Sequence, residues 1–167
     1  MASSVVRNFM KQQGFSAEAP VACDMHFRGL YFQPWIMFPL VVLGIVLQRG
    51  AYFLVLSGLL WWNAFVPRLN PFEALYNRLV ARKGEGPLLG SAPMPRRFAQ
   101  GMAAAFLLGA GAALLAGQAM GARVLEAFVV LAFSALLFGR FCLGAYVYHV
   151  LKGNLAFANS TLPWGRG

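Results

Sequence analysis

Of 167 residues, 59% are hydrophobic and only 11% charged, more apolar material than a soluble domain of this length buries, which excludes an ordinary water-soluble fold. Fourteen Lys and Arg against five Asp and Glu leave a formal charge of +9, and in so apolar a chain that balance reads as membrane topology, with no nucleic-acid partner expected. Two cysteines, Cys23 and Cys142, are too few for a disulfide framework, and both fall on the side expected to face the cytoplasm, where thiols stay reduced.

Residues 1–30 form a mixed, polar N-terminal segment expected to be cytoplasmic. It carries no short apolar core with a small-residue cleavage site, so the first spanning helix is expected to direct insertion. Within it, Val5, Val6, Phe9 and Met10 share one side with Arg7 and Lys11 flanking, a pattern that suits a helix in a headgroup layer and equally a frayed tail. A membrane domain of residues 31–151 follows. Gln33-Pro34-Trp35 opens a first span over about 33–48, with Pro34 suited to a first turn and Pro39 expected to kink it. Gln48-Arg49-Gly50 is a tight polar break before a second span over about 51–67, so the two form a hairpin. Both are short for a span of about 20 residues, and Tyr31, Phe32, Tyr52, Trp61 and Trp62 are expected to carry them into the interfaces.

Asn70-Pro71-Phe72-Glu73 presents a cap, a first-turn proline and an early acid, which predicts a helix over about 71–83 ending at Gly84. Its stripe of Phe72, Leu75, Tyr76 and Leu79, with Arg78, Arg82 and Lys83 at its end, suits either the anionic lipids of the inner leaflet or a protein surface. A loop rich in Pro and Gly leads to Arg96 and Arg97 at the mouth of a third span, about 98–120. There Gly101, Ala105, Gly109, Ala113 and Gly117 recur every fourth residue, a row of small side chains that would let a neighbouring helix approach closely. A fourth span over about 123–150 is longer than hydrocarbon requires and must tilt or protrude, and residues 152–167 form a polar cytoplasmic tail. The expected fold is therefore all-α and polytopic: four transmembrane helices as two hairpins, with a cytoplasmic amphipathic helix between them. Eleven of the fourteen basic residues fall on one side and only Arg49 and Arg123 on the other, which places both termini in the cytoplasm.

The remaining basic residue, Arg140, is an ionisable group within the predicted fourth span and so a functional candidate. Seventeen residues past Arg123, it lies about 25 Å along a helix, close to the inner interface, where it could snorkel to phosphates or meet an anion or a partner. Cys142 and His149 follow it, and Cys23 and His26 form a second thiol–imidazole pair before the first span. Seven residues of helix put Cys142 and His149 about 10 Å apart along the axis, too far to share one zinc, so no metal is expected. His26 and His149 are weak candidates for a pigment or haem held at the inner boundary, and no cofactor is the primary expectation. No Asp or Glu lies deep in a predicted span, Glu126 being near the outer end of the fourth. With no paired acids, nucleophile triad or phosphate loop either, no catalytic residue is assigned.

At Asn70-Pro71-Phe72 through Leu75-Tyr76-Asn77, at Pro95-Arg96-Arg97-Phe98-Ala99-Gln100-Gly101-Met102-Ala103, and at Cys142-Leu143-Gly144, the chain resembles an uncharacterised bacterial family of small four-helix membrane proteins, a domain of unknown function, over roughly Pro34 to Leu151. The resemblance implies the four-helix architecture and a bacterial source without implying an activity, and the bacterial inner membrane is the expected location. Members often carry a second cysteine after Cys-Leu-Gly, where this chain has Ala145. Packing surfaces without machinery suggest a non-catalytic structural or accessory subunit of a membrane assembly, with lipid and other membrane subunits as partners. The alternatives are a thiol-dependent anion transporter or redox protein using Cys142 and Arg140, and a pigment- or haem-associated subunit.

Overall fold

A computed structural model describes residues 4–15, 27, 29–84 and 86–164. Among them are eight α-helices and no strand: α1 Ser4–Gln12, α2 Phe32–Leu47, α3 Gly50–Phe65, α4 Pro71–Leu79, α5 Met94–Leu115, α6 Ala119–Leu137, α7 Leu143–Leu151 and α8 Leu155–Ser160. Only α5 and α6, at 22 and 19 residues, are long and apolar enough to cross a membrane. α2 and α3 have 16 residues each, about 24 Å of helix.

α5 is the centre of the molecule, packing most extensively on α3 and then on α6 and α7, while α2 lies against α6. The helices of the first hairpin thus touch each other less than they touch the second. A mid-level core of Met37, Val41, Phe53, Leu60, Ala104, Leu107, Val129 and Phe133 joins α2, α3, α5 and α6. A second core at the terminal end joins Val6, Phe9, Met10, Tyr31, Tyr76, Leu137, Cys142 and Ala145. Burying each such side chain contributes roughly 1.5–3 kcal/mol, which explains why α1 is neither a frayed tail nor a headgroup helix. Its apolar face is inside the protein. The tail also folds back, since Ala158 and Thr161 are buried and the Leu162 carbonyl accepts from Asn8 Nδ2 at 3.2 Å.

α4 starts where its cap predicts, with the Phe72 N–H donating to Asn70 Oδ1 at 3.0 Å and Pro71 in the first turn. It ends earlier than expected, at Leu79. A 3₁₀ turn over Ala81–Lys83 then leads to Gly84 at φ +77°, the left-handed geometry that glycine adopts without cost. The predicted stripe divides: Phe72 and Tyr76 are buried in protein, whereas Leu75 and Leu79 stay exposed beside Arg78, Arg82 and Lys83. α2 runs through Pro39 as one helix.

The predicted fourth span is corrected. The helix stops at Leu137, Arg140 takes φ +51°, and the Phe141 N–H closes a wide loop onto the Ala135 carbonyl at 3.1 Å before α7 begins. Gly139 permits this wrap, because a Cβ there would lie 2.7 Å from the Ala135 carbonyl oxygen. α7 then runs beside the start of α5, so close that a Cβ on Gly144 would lie 2.6 Å from Ala99 Cα.

Candidate functional site

Between α2, α5, α6 and the start of α7 lies a cavity of about 90 Å³, with Phe9 and Gln13 of the N-terminal segment across one end. Its walls are apolar at the bundle side, where Met37, Leu60, Phe106, Phe133 and Leu136 line it. The opposite end is polar and made by Gln13, Gln33, Arg96, Gln100 and Cys142.

Arg96 sits in the first turn of α5 with only 6% of its surface exposed. Its one hydrogen bond among the described residues is a long one, from Nη2 to the Leu30 carbonyl at 3.4 Å. Glu73 of α4 attracts it, but burial pushes the Glu73 carboxyl above its ordinary range, an effect that Arg96 and a bond from Asn70 only offset. One turn along α5, Gln100 Nε2 donates to Gln33 Oε1 of α2 at 2.9 Å, while Gln100 Oε1, itself fully buried, has no partner. A buried amide oxygen left unbonded costs about 1–3 kcal/mol.

Cys142 caps α7, and its N–H donates to Gln12 Oε1 at 2.9 Å. Burial pushes its thiol up, against weaker opposing effects from backbone N–H groups, Gln13 and Arg96, so the sulfur is held as a neutral thiol at pH 7. Gln12, fully buried, also places its backbone carbonyl 3.0 Å from His149 Nε2. One residue of α1 thus ties down both Cys142 and His149. Tyr31 donates its hydroxyl to the Leu136 carbonyl at 2.7 Å, and burial raises its pKa further above the ordinary phenol value.

The stretch that carries Gln33, Arg96, Gln100 and Cys142 falls inside a single family match, over residues 27–152, to a domain of unknown function, DUF4395. The chain belongs to the DUF4395 family. The matched region takes in α2 through α7 and therefore every wall of the cavity except Phe9 and Gln13. Neither a search of curated proteins nor one of solved structures returns a match.

Within this DUF4395 domain the predicted site residues separate. Arg140 is exposed in the break between α6 and α7, its guanidinium carbon 5.6 Å from the centre of the Phe27 ring, whereas Cys142 two residues on is buried and turned toward Arg96. Ending α6 at Leu137 separates Arg140 from the helix that carries the other two, since Cys142 caps α7 and His149 lies near its end. The His149 ring nitrogen is engaged with Gln12, and its ring packs edge-on against Phe157. Cys23 and His26 lie outside the described residues.

The row of small residues does not make one contact. Gly101 faces Trp61, Gly109 faces Leu125, Ala113 is half-buried, Ala105 is exposed, and Gly117 lies beyond the helix end at φ +73°. The closely packed line on α5 is Gln100, Ala104, Leu107 and Gly111 instead. Ser57 donates to the Ala104 carbonyl at 2.8 Å, and a Cβ on Gly111 would lie 2.9 Å from the Gly50 carbonyl oxygen. Arg96, Gln100 and Ala104 recur at the same four-residue interval, so the signal for the polar end of the cavity was present. It was hidden because an arginine at the start of an apolar run reads as an interfacial anchor. Arg97 does behave as a terminus residue, donating from Nε to the Ala64 carbonyl at 2.7 Å near the end of α3.

Glu126, expected near an outer helix end, is buried in α6, where Gln48 Nε2 of the α2–α3 turn reaches both carboxylate oxygens at 3.1 Å. Asn77 was missed altogether. Its side chain donates to the Leu89 carbonyl at 3.0 Å and accepts from the Leu89 N–H at 2.8 Å, holding the long loop onto α4.

Proposed function

We propose that the protein is a four-span component of a bacterial inner membrane with both termini in the cytoplasm, acting as a non-catalytic accessory protein that binds rather than transforms. The observation that carries this reading is the apolar outer surface shared by the four long helices. Val46 of α2 is 74% exposed, Val55 of α3 70%, and Leu115 of α5 and Leu131 of α6 65% each, in positions where a soluble bundle would place charge. The shortness of α2 and α3 is met by Trp35, Trp62 and Phe65, exposed near their ends, since amphipathic rings are favoured at bilayer interfaces. Exposed Leu75 and Leu79 with Arg78, Arg82 and Lys83 suit α4 to the anionic inner leaflet, which bears on the same orientation.

Binding is favoured over thiol chemistry because the groups that meet in the cavity are a guanidinium, three amides and a neutral thiol, which recognise and orient a ligand but neither shuttle protons nor attack it. Arg140 and Cys142, the pair on which a thiol-dependent anion transporter would depend, face different surroundings. Reporters fused after Lys11, within residues 84–91 and after Lys152 should all read cytoplasmic; a periplasmic reading at any one defeats the four-span arrangement. Cys142→Ser keeps a small polar group in the cavity wall and should leave folding intact, and a selective loss of a transport or redox phenotype in the folded variant would restore the thiol reading.

A further inference from the structure

The cavity combines features that a merely structural gap lacks. Arg96 is a buried charge with one long hydrogen bond and no carboxylate within ion-pair distance among the described residues, an arrangement that leaves its desolvation largely uncompensated. Gln100, 9% exposed and lining the same space, leaves an amide oxygen without a partner. From these polar groups apolar walls run on past Met37, Phe106 and Phe133. Leu143 lines the cavity and is itself exposed, so the space reaches the protein surface beside the start of α7.

We propose that this cavity is a binding site for a single-chain amphiphile with a carboxylate head, a long-chain fatty acid in chemical class, whose carboxylate is held by Arg96 and Gln100 and whose chain runs along the apolar wall. The charge argument selects an anion, since among the described residues one guanidinium is the only full charge lining the space, and a carboxylate matches its fork with two parallel hydrogen bonds. Gln100 can serve the same head. If both amides of the Gln33–Gln100 pair rotate by half a turn their mutual bond is kept, and the free atom of Gln100 changes from acceptor to donor. Size selects one chain: an apolar cavity of roughly 150 Å³ admits a single benzene ring, and about 90 Å³ takes a head and the first carbons of one chain, not a second chain or a macrocycle.

This inference deepens the binding reading above but is tested in detergent solution, so its failure leaves the topology result standing and the reverse. The probe is the slow rate at which iodoacetamide alkylates Cys142 in the purified full chain at pH 9, where a fraction of this buried thiol ionises, followed at that site by mass spectrometry. With oleate at ten times its Kd, Cys142 alkylation should slow about tenfold, because only the unoccupied fraction reacts. Oleyl alcohol and acetate at the same concentration should each slow it less than about twofold. Arg96→Gln should abolish protection by oleate. As that variant also disturbs a buried charge, Ala103→Leu, which fills the cavity from α5, provides a second route: it should keep the wild-type melting temperature and lose protection. Absence of protection by oleate overturns the proposal. Equal protection by oleyl alcohol would show that charge is not read, and equal protection by acetate that the chain is not. Oleate protection persisting in Ala103→Leu would place the ligand elsewhere, and protection by phosphatidylglycerol alone would replace the carboxylate with a phosphodiester.

Discussion

Replacing Gly111 by Ala tests whether α3 and α5 are held together by backbone contact at Gly50 and Gly111. The new Cβ would stand 2.9 Å from the Gly50 carbonyl oxygen and 2.9 Å from Leu54 Cδ2. The leucine tip can swing away, but the carbonyl belongs to the first turn of α3 and cannot move alone. To reach ordinary van der Waals distance the helices must part by about 0.5 Å, and a gap of that size forfeits roughly a quarter of each contact's attraction across the largest helix–helix interface of the molecule. Overpacking of this kind costs about 1–3 kcal/mol. Alanine recovers about 0.8–1 kcal/mol over glycine in a helix, so Gly111→Ala should lose a net of up to about 2 kcal/mol and Gly111→Leu distinctly more. Gly109 is the control, since a Cβ there meets only Leu125 Cδ1, at 3.0 Å, the mobile end of a side chain. Gly109→Ala should be neutral or gain up to about 1 kcal/mol. Thermal unfolding of the purified protein in a mild detergent, followed by loss of helical circular dichroism, orders the variants. Gly111→Leu as stable as the parent, or Gly109→Ala more damaging than Gly111→Ala, would refute the assignment of the contact line.

Asn77→Ala removes both hydrogen bonds to Leu89 and should cost about 1–3 kcal/mol locally, seen as faster proteolytic cleavage within residues 84–93 while the helices stay protected; unchanged cleavage would mean that the loop is held by other contacts. For Glu73, the folded carboxyl is raised above its ordinary value of 4.5 by burial, so the folded state favours its protonated form. Its stabilising effect is therefore complete below the unfolded pKa and is lost as pH rises through the folded one. Melting temperature should fall as pH rises from about 4 into the range above that folded pKa, and Glu73→Gln should flatten this slope; an unaltered slope in the variant would assign it to another group.

Composition and periodicity by themselves determine that the chain is helical and strongly apolar, where the polar breaks at Gln48-Arg49 and Gly84 fall, and how α4 begins, because each depends on residues within a few positions of one another. Asn70, Pro71 and Gly84 act through their own backbone neighbourhood, and the structure has them as their types require. Only the tertiary structure decides what faces what. The buried line on α5 runs through Gln100, Ala104 and Gly111, one or two residues away along the chain from the row of Gly101, Ala105 and Gly109, because the position of α3 chooses the face and composition offers small residues on both. The same dependence explains Arg96: an arginine at the head of an apolar helix reaches water unless other elements cover it. Here α1, 84 or more residues away in sequence, together with Leu30 and α7, closes over that end. The break after Leu137 needed both kinds of information, since Gly139 makes the turn possible locally, while the packing of Gly144 against Ala99 and of Gln12 on Cys142 makes it favourable. Long-range burial, which no local pattern encodes, is what turned an arginine, two glutamines and a cysteine from separate segments into one cavity wall.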